Sequence, residues 1–263
     1  MRFDWSYFWA SLLTPSPQFL NGLALTVIIT VAGMIAATVI GLFIALMGRS
    51  TFLPARAFAN FYIWLIRGTP LLVQLVLIYT GFAAAGLFRF QDTDVVGVLI
   101  KASVQAAIVA VSLNESAYIS EIVRAGLESV DRGQLEAALS LGMRPSSAMR
   151  WIIVPQAFRT MVPPLGNEFN GLMKNTSILS VIGVGEMFQV SQVMSAATFK
   201  TFEISGVVAI YYLALTTIWT FAQAAIENKL NERAGLPKTA SVVKRLFGTR
   251  GLRELALADD HQA

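Results

Sequence analysis

Cysteine is absent from all 263 residues and histidine occurs once, as His261 close to the C-terminus. The first absence excludes disulfides, thiolate metal sites and cysteine nucleophiles. The second confines any histidine chemistry to a terminal segment that reads as solvated tail. Charge is scarce as well. Asp, Glu, Lys and Arg make up 14% of the chain against 55% hydrophobic residues, whereas a soluble domain carries roughly a quarter charged residues. A mean hydropathy of +0.61 points to a bilayer as the solvent. The 20 basic residues are scattered between long apolar runs rather than gathered on one polar face, which argues against a nucleic-acid surface.

Complete catalytic signatures are also missing. Gly81-Phe82-Ala83-Ala84-Ala85-Gly86 has the glycines of a phosphate loop, but Leu87 and Phe88 stand where Lys and Ser/Thr are required. Gly183-Val184-Gly185 lacks the third glycine of a dinucleotide turn, and neither HExxH nor GxSxG occurs. Asn175-Thr176-Ser177 matches a glycosylation acceptor but falls inside an apolar stretch. No intrinsic catalysis and no cofactor bound by this chain are expected.

What the sequence does have is length of apolar run. A span needs ~20 residues at 1.5 Å rise to cross a ~30 Å hydrocarbon core. Leu20 to Met47 is the first predicted span, within a charge-free stretch from Trp5 to Gly48. Phe58 to Phe88 is the second, interrupted at Arg67-Gly68-Thr69-Pro70, where proline kinks or restarts a helix. Val95 to about Leu113 is the third, with Lys101 able to snorkel from its outer end. Pro164 to Val190 is the fourth despite Glu168, Lys174 and Glu186, and Ile204 to Ile226 is the fifth. Residues 1–19 lack a continuous apolar segment and read as an arm rather than a leader. Trp5, Tyr7, Phe8 and Trp9 suit either a membrane-interface anchor or a packed arm. Residues 20–230 form the membrane domain, and 231–263 a basic tail expected to be partly disordered beyond Pro237.

Five spans place the termini on opposite sides, so basic residues can set the hand. With the C-terminus inside, the inner segments hold 14 of the 20: Arg49, Arg56, five arginines between 114 and 160, and seven tail residues. Arg2, Arg89 and Lys200 fall outside, while Arg67, Lys101 and Lys174 lie within or near spans. The N-terminus is therefore expected outside, and the charged stretch 114–160 becomes a cytoplasmic loop.

That loop carries the most specific pattern in the chain. Gln134 to Leu141 is a good helix former, Gly142 permits a bend, and Pro145 opens a second helical stretch reaching Val154-Pro155. Two short helices at an angle would project a knob over about 132–155. The spacing of Glu136, Ala137, Ala138, Gly142, Ile152, Val154 and Pro155 resembles the signature loop of the integral-membrane subunits of ATP-binding-cassette importers. Valine at 154 replaces that family's usual leucine and keeps the apolar contact. Several other segments resemble the polar-amino-acid permeases within it: Arg67 to Gln74, Ser116-Ala117-Tyr118 with Glu121, Arg124 and Gly126, Gly133-Gln134, Pro155-Gln156-Ala157 with Arg159, and Lys174-Asn175-Thr176-Ser177. Asn175 and Ile178 depart from the family's Asp-Thr-Ser-Leu. Together the likeness runs from about Asn21 to Leu230.

The resemblance implies an all-α integral membrane fold, the transmembrane domain of a type I importer. It implies two partner ATPase subunits that use ATP and magnesium, a second permease subunit in a homo- or heterodimer, and an extracytoplasmic solute-binding protein. A bacterial cytoplasmic (inner) membrane is the expected setting. In the loop, Glu136 would pair with a basic group of the ATPase, Ala137 and Ala138 would allow close approach, and Gly142 and Pro155 would shape the bend. The nearest rivals are a passive channel and an ion-driven carrier. Secondary carriers commonly contain related halves, and no repeat joins Leu20–Phe88 to Pro164–Ile226.

Within the spans, Lys101, Gln105, Ser112 and Glu115 recur at helical spacing, and Asn167, Asn170 and Lys174 share a second face, with Glu168 turned about 100° from Asn167. Charges in a membrane are costly and usually face a bundle interior or a watery cavity. A polar amino acid needs an acceptor for its ammonium and donors for its carboxylate. Glu168, Asn167, Asn170, Lys174, Gln105 and Ser112 are accordingly the candidate path residues. Glu168 would either meet the ammonium or pair with Lys174 or Arg67 to hold helices together. Arg67 reads as closing a helix start beside Pro70, and Glu121 with Arg124 as a surface pair.

Overall fold

The computed structural model describes residues 3–95, 97–235 and 237, and the basic tail beyond Pro237 lies outside them. Among the described residues there are nine helices and one two-stranded hairpin. Two units are distinguished, 1–216 and 217–263, the second contributing the C-terminal part of the last helix.

Helix α1 (Trp5–Leu13) begins where Asp4 accepts a hydrogen bond from Tyr7 N. Helix α2 (Pro17–Gly48) follows, capped by Ser16 and opened by a proline at its first position, where the missing N–H is no loss. Its 32 residues reach about 48 Å, ample for a span. The second predicted span resolves into two helices, α3 (Leu53–Arg67) and α4 (Leu71–Ala84), bent by 104° at the Gly68-Thr69-Pro70 break. Helix α4 loosens into a π turn at Leu77–Gly81.

The third predicted span is displaced. Its first part, Thr93–Val95 and Val98–Ile100, forms an antiparallel hairpin (β1 and β2), turned where Gly97 N donates to Asp94 Oδ1 at 2.8 Å. The helix, α5 (Ala102–Glu128), starts later and runs 15 residues past Leu113, so Glu115, Glu121 and Arg124 belong to it rather than to a loop. Its charges are accommodated in two ways: Glu115 is buried, and the exposed Arg124 bridges Glu121 (2.8 Å) and Glu128 (2.7 Å) at one-turn spacing.

Helix α6 (Arg132–Ser140) is capped by Asp131 and ends at Gly142, whose φ of +80° is the left-handed turn glycine permits. The expected second short helix is instead the start of a long one. Helix α7 (Pro145–Ile182) continues through Pro155, just after widening into a π turn at Met149–Ile153, and passes Pro163 and Pro164 before tightening into a 3₁₀ segment at Thr176–Ile182. Gly183 turns the chain, and α8 (Met187–Thr198) leaves at 52° to α7. Helix α9 (Thr201–Arg233) is the last. Three single helices, α2, α5 and α9, are long and apolar enough to span, and the two bent pairs bring the total to five among the described residues.

Helices α2 and α5 form the centre of unit 1–216. A methyl group on Gly33 would meet Val111 at 2.7 Å, and one on Gly41 would meet the Ser116 carbonyl at 2.8 Å. Small residues let membrane helices approach this closely, because lipid supplies no hydrophobic drive between them. Ile29, Leu75, Ala107, Ala110, Val111, Leu172 and Leu179 make the core that joins α2, α4, α5 and α7.

Candidate functional site

The break between α3 and α4 opens onto a cavity of about 560 Å³, within the ~300–1,000 Å³ of small-molecule sites. Arg67, Gly68, Thr69, Pro70 and Leu71 form one wall, Asn114, Glu115 and Tyr118 of α5 the second, and Glu168 and Asn175 of α7 the third. Glu115 lies at the midpoint of α5, so the cavity sits beside the middle of that helix. Glu168 and Asn175 are seven residues apart, two helical turns, which places both on one face.

The charges are sorted. Arg67 lies in the last turn of α3, where a cation is favoured by the helix dipole, and its guanidinium sits over the Tyr118 ring at 5.3 Å. Its contact with Glu121 is loose, at 3.9 Å. Opposite, the carboxyls of Glu115 and Glu168 adjoin one another. Glu115 is 3% exposed, and its Oε2 has no hydrogen-bond partner among the described residues. Adjoining carboxylates repel, and a cation placed between them relieves that repulsion. The first turn of α4 begins at Pro70 with no side-chain cap, and Leu71 of that turn lines the cavity.

Of the six candidate path residues, Glu168 lines this cavity among the described residues. It makes no ion pair with Arg67 or Lys174 there; its acidic neighbour is Glu115. Gln105 instead ties the hairpin to α5, its Nε2 donating to Gln91 O (2.7 Å), Thr93 Oγ1 (3.2 Å) and Ile100 O (3.0 Å). Ser112 donates to Ile108 O at 2.6 Å and reaches Gly33 O on α2 at 3.4 Å. Asn167 and Lys174 are exposed on α7, and Asn170 keeps Oδ1 buried and unpartnered among the described residues. Asn114, Tyr118, Arg67 and Asn175 complete the cavity without having been singled out as path residues. Glu115 and Tyr118, three residues apart on one helix face, were a legible signal once α5 is given its full length.

The second functional region is α6 and the turn after it. Glu136 and Ala137 are exposed and Ala138 is 2% exposed, turned inward, so the alanine pair does not present one face. Leu139, Leu141, Trp151 and Val154 are exposed around Gly142 and Pro155. Leu141, at 85%, is an unpartnered apolar side chain on a polar loop.

A long α2–α5 pair, a charged cavity between the broken α3–α4 helix, α5 and α7, and the short helix α6 with exposed apolar residues around it define a permease subunit. The chain belongs to the family of binding-protein-dependent transport system inner membrane components, which it matches over residues 37–232. It is 38% identical to the arginine transport system permease protein ArtQ of Bacillus subtilis (strain 168) over 214 residues, 81% of this chain and 93% of that one. It is 35% identical to the glutamine transport system permease protein GlnP of Escherichia coli (strain K12) over 230 residues, 88% and 99% of the two chains. Among solved structures, one described as an amino acid ABC transporter with histidines matches with TM-score 0.76 and 37% identity, covering 87% of this chain and 100% of that one. The inward-facing MetNI methionine ABC transporter matches with TM-score 0.66 at 18% identity, a likeness of fold. The fold is the transmembrane domain of a type I ATP-binding-cassette importer.

Proposed function

We propose that this chain carries a polar L-amino acid through the cytoplasmic membrane, as the permease half of an importer driven by a separate ATPase. The observation that carries the reading is the cavity between α3–α4, α5 and α7, where Glu115, with one oxygen unpartnered among the described residues, and its neighbour Glu168 share the space with Arg67. The two carboxylates receive the ammonium. Arg67 and the uncapped first turn of α4 receive the carboxylate, since a helix N-terminus offers free N–H groups and a positive dipole end. Asn114 and Asn175 face the same space and contact the side chain. The permeases of arginine and glutamine transport named above support the substrate class.

Helix α6 is the docking element. Glu136 meets a basic group of the ATPase, Ala137 permits close approach, and Leu141 and Trp151 bury their exposed faces against it, while Ala138 anchors α6 to its own chain. Gly142 sets the bend and Pro155 the entry into α7. Two ATPase subunits, each using ATP and magnesium, a second permease subunit and an extracytoplasmic binding protein complete the assembly. The distribution of basic residues supports a C-terminus inside and an N-terminus outside. Closure of the ATPases moves α6, and with it α7, so that Glu168 shifts relative to Glu115 and the cavity opens alternately to either side.

The test is ATPase activity of the complex reconstituted in liposomes with its ATPase and binding protein, while L-arginine, L-glutamine, L-histidine and L-glutamate are added in turn. Stimulation by one of them, with its KM raised by Glu168→Gln, is expected. An ATPase that binds the complex but ignores every amino acid sinks the substrate class, and one that never associates sinks the docking role of α6.

A further inference from the structure

The break between α3 and α4 presents a physical problem that Gln74 solves, and the solution reaches the cavity. Where a helix stops inside a membrane, its last carbonyls lose their partners and no water replaces them. Gln74 lies one turn into α4 and is buried, 8% exposed. Its Nε2 donates to Ile66 O at 2.8 Å, to Thr69 O at 3.1 Å and to Thr69 Oγ1 at 2.8 Å. One amide thereby satisfies the end of α3 and the turn itself.

The other end of the same amide points away from the break. Gln74 Oε1 accepts from Asn114 Nδ2 at 3.1 Å, and Asn114 is buried on α5 beside Glu115. The hydrogen bonds run from the α3 end through Gln74 to Asn114, and Asn114 is the sequence neighbour of Glu115 on α5, so they join the wall bearing Arg67 to the α5 wall. Tyr62, on α3, makes a second and separate tie, donating to Leu113 O at 2.9 Å and lying 2.7 Å from Ser116 Oγ. The α3 body is held to α5 by Tyr62, and the turn is held to α5 through Gln74.

We propose that Gln74 is a positioning residue for substrate: through Asn114 it fixes the separation of Arg67 from Glu115 on α5, and so the length of amino acid the cavity accepts. The proposal rests on the cavity being the substrate site. An amide is suited to this task because it supplies donors at one end and an acceptor at the other, whereas a carboxylate or a thioether supplies only one kind or neither. A filler of the break alone would need the donors and not the acceptor.

The experiment uses the reconstituted complex with its ATPase and binding protein, probed with L-arginine and L-glutamine, which differ in length and side-chain charge. KM and maximal rate per assembled complex are measured for Gln74→Met, Asn114→Leu, the double variant and Glu168→Gln. Each single change at Gln74 or Asn114 is expected to raise KM about tenfold for the preferred probe and to narrow the ratio between probes, the effect of one lost buried hydrogen bond. Because both act through one bond, the double variant should lie within about threefold of either single one rather than near the product. Additive effects overturn the proposal, and so do unchanged KM and probe ratio with only the yield of complex reduced, which is the signature of a residue that merely closes the break. If Gln74→Met fails to assemble, Asn114→Leu reads the same bond from the other side, and an unchanged KM there overturns the proposal. Glu168→Gln separates the two levels. A KM unmoved by Glu168→Gln refutes the cavity as substrate site, whereas a KM moved by Glu168→Gln but not by Gln74→Met or Asn114→Leu refutes the positioning role alone.

Discussion

Two glutamates are buried in the same helical unit and treated oppositely by it. Glu186, 0% exposed, caps α8: it accepts from Phe188 N at 2.8 Å, Gln189 N at 2.7 Å and Tyr212 OH at 3.2 Å. Beside it, Thr26 of α2 accepts from Met187 N at 3.2 Å. Glu115 is equally enclosed on α5 but borders the cavity, adjoins a second acid and keeps one oxygen without a partner among the described residues. A buried polar group that is fully satisfied stabilises a particular packing, and one left wanting marks a place where something else is meant to bind. The contrast separates scaffold from site within one fold, without reference to sequence motif.

The strongest way to break that contrast is Glu186→Leu. It leaves two backbone N–H groups and a tyrosine hydroxyl unsatisfied, a loss of about 3 kcal/mol or more, so a large drop in the thermal midpoint of the detergent-solubilised complex is expected. The KM of whatever folds should be unchanged. Glu115→Gln should do the reverse, altering the midpoint little while weakening amino-acid stimulation of the ATPase by about thirtyfold, near 2 kcal/mol of a buried charge contact. Equal thermal losses in the two variants would erase the distinction. Gly142→Val tests a region that neither glutamate controls. The site has open space around it, so only its φ of +80° resists a side chain, at about 1–2 kcal/mol. Substrate binding should survive and ATPase coupling should fall.

The smallest effect concerns a third carboxylate, outside the spans. Asp4 caps α1 and is tied to Lys200, which also lies over the Tyr7 ring, while Asp4 N donates to Glu203 at 2.7 Å. The Lys200 contact, followed by the Tyr7 and Ser6 hydrogen bonds, holds the Asp4 carboxyl below the usual carboxylate range. A lowered value favours the folded state above the ordinary pKa, and that contribution is lost only as pH falls through the lowered one. The protection of α1 amides relative to their intrinsic exchange rate should thus be insensitive to pH between 7 and 5 in the wild type and lower throughout in Asp4→Asn. A wild-type α1 that loosens on going from pH 7 to 5 would contradict this.

Local chemistry was legible in the sequence wherever one residue type decides the outcome. Pro70 marked the break, Gly142 the left-handed turn, and the run from Ile204 to Ile226 lies within α9. The third span slid because Val95, Val98, Leu99 and Ile100 look apolar enough to enter a membrane, yet Asp94 and Gly97 turn them into a hairpin. Glu115, Glu121 and Arg124 had the opposite effect, making the C-terminal half of α5 read as loop, because hydropathy counts a charge and not its burial or its partner. The cavity was less legible still. Asn167, Asn170 and Lys174 form a polar face on α7, but which face meets α5 and the broken helix is set by packing, and the packing presents Glu168 and Asn175. Gln105 and Ser112 satisfied a stripe pattern while serving the backbone of their surroundings.

Gly33 and Gly41 carry a mechanical consequence. With Val111 and the Ser116 carbonyl almost touching the backbone of α2, α2 and α5 cannot slide or twist past one another without collision, and they behave as a single spar. Because α3 and its turn are also tied to α5, the proposed movement is expected at the other bent pair, α7 with α8, which meet at 52°.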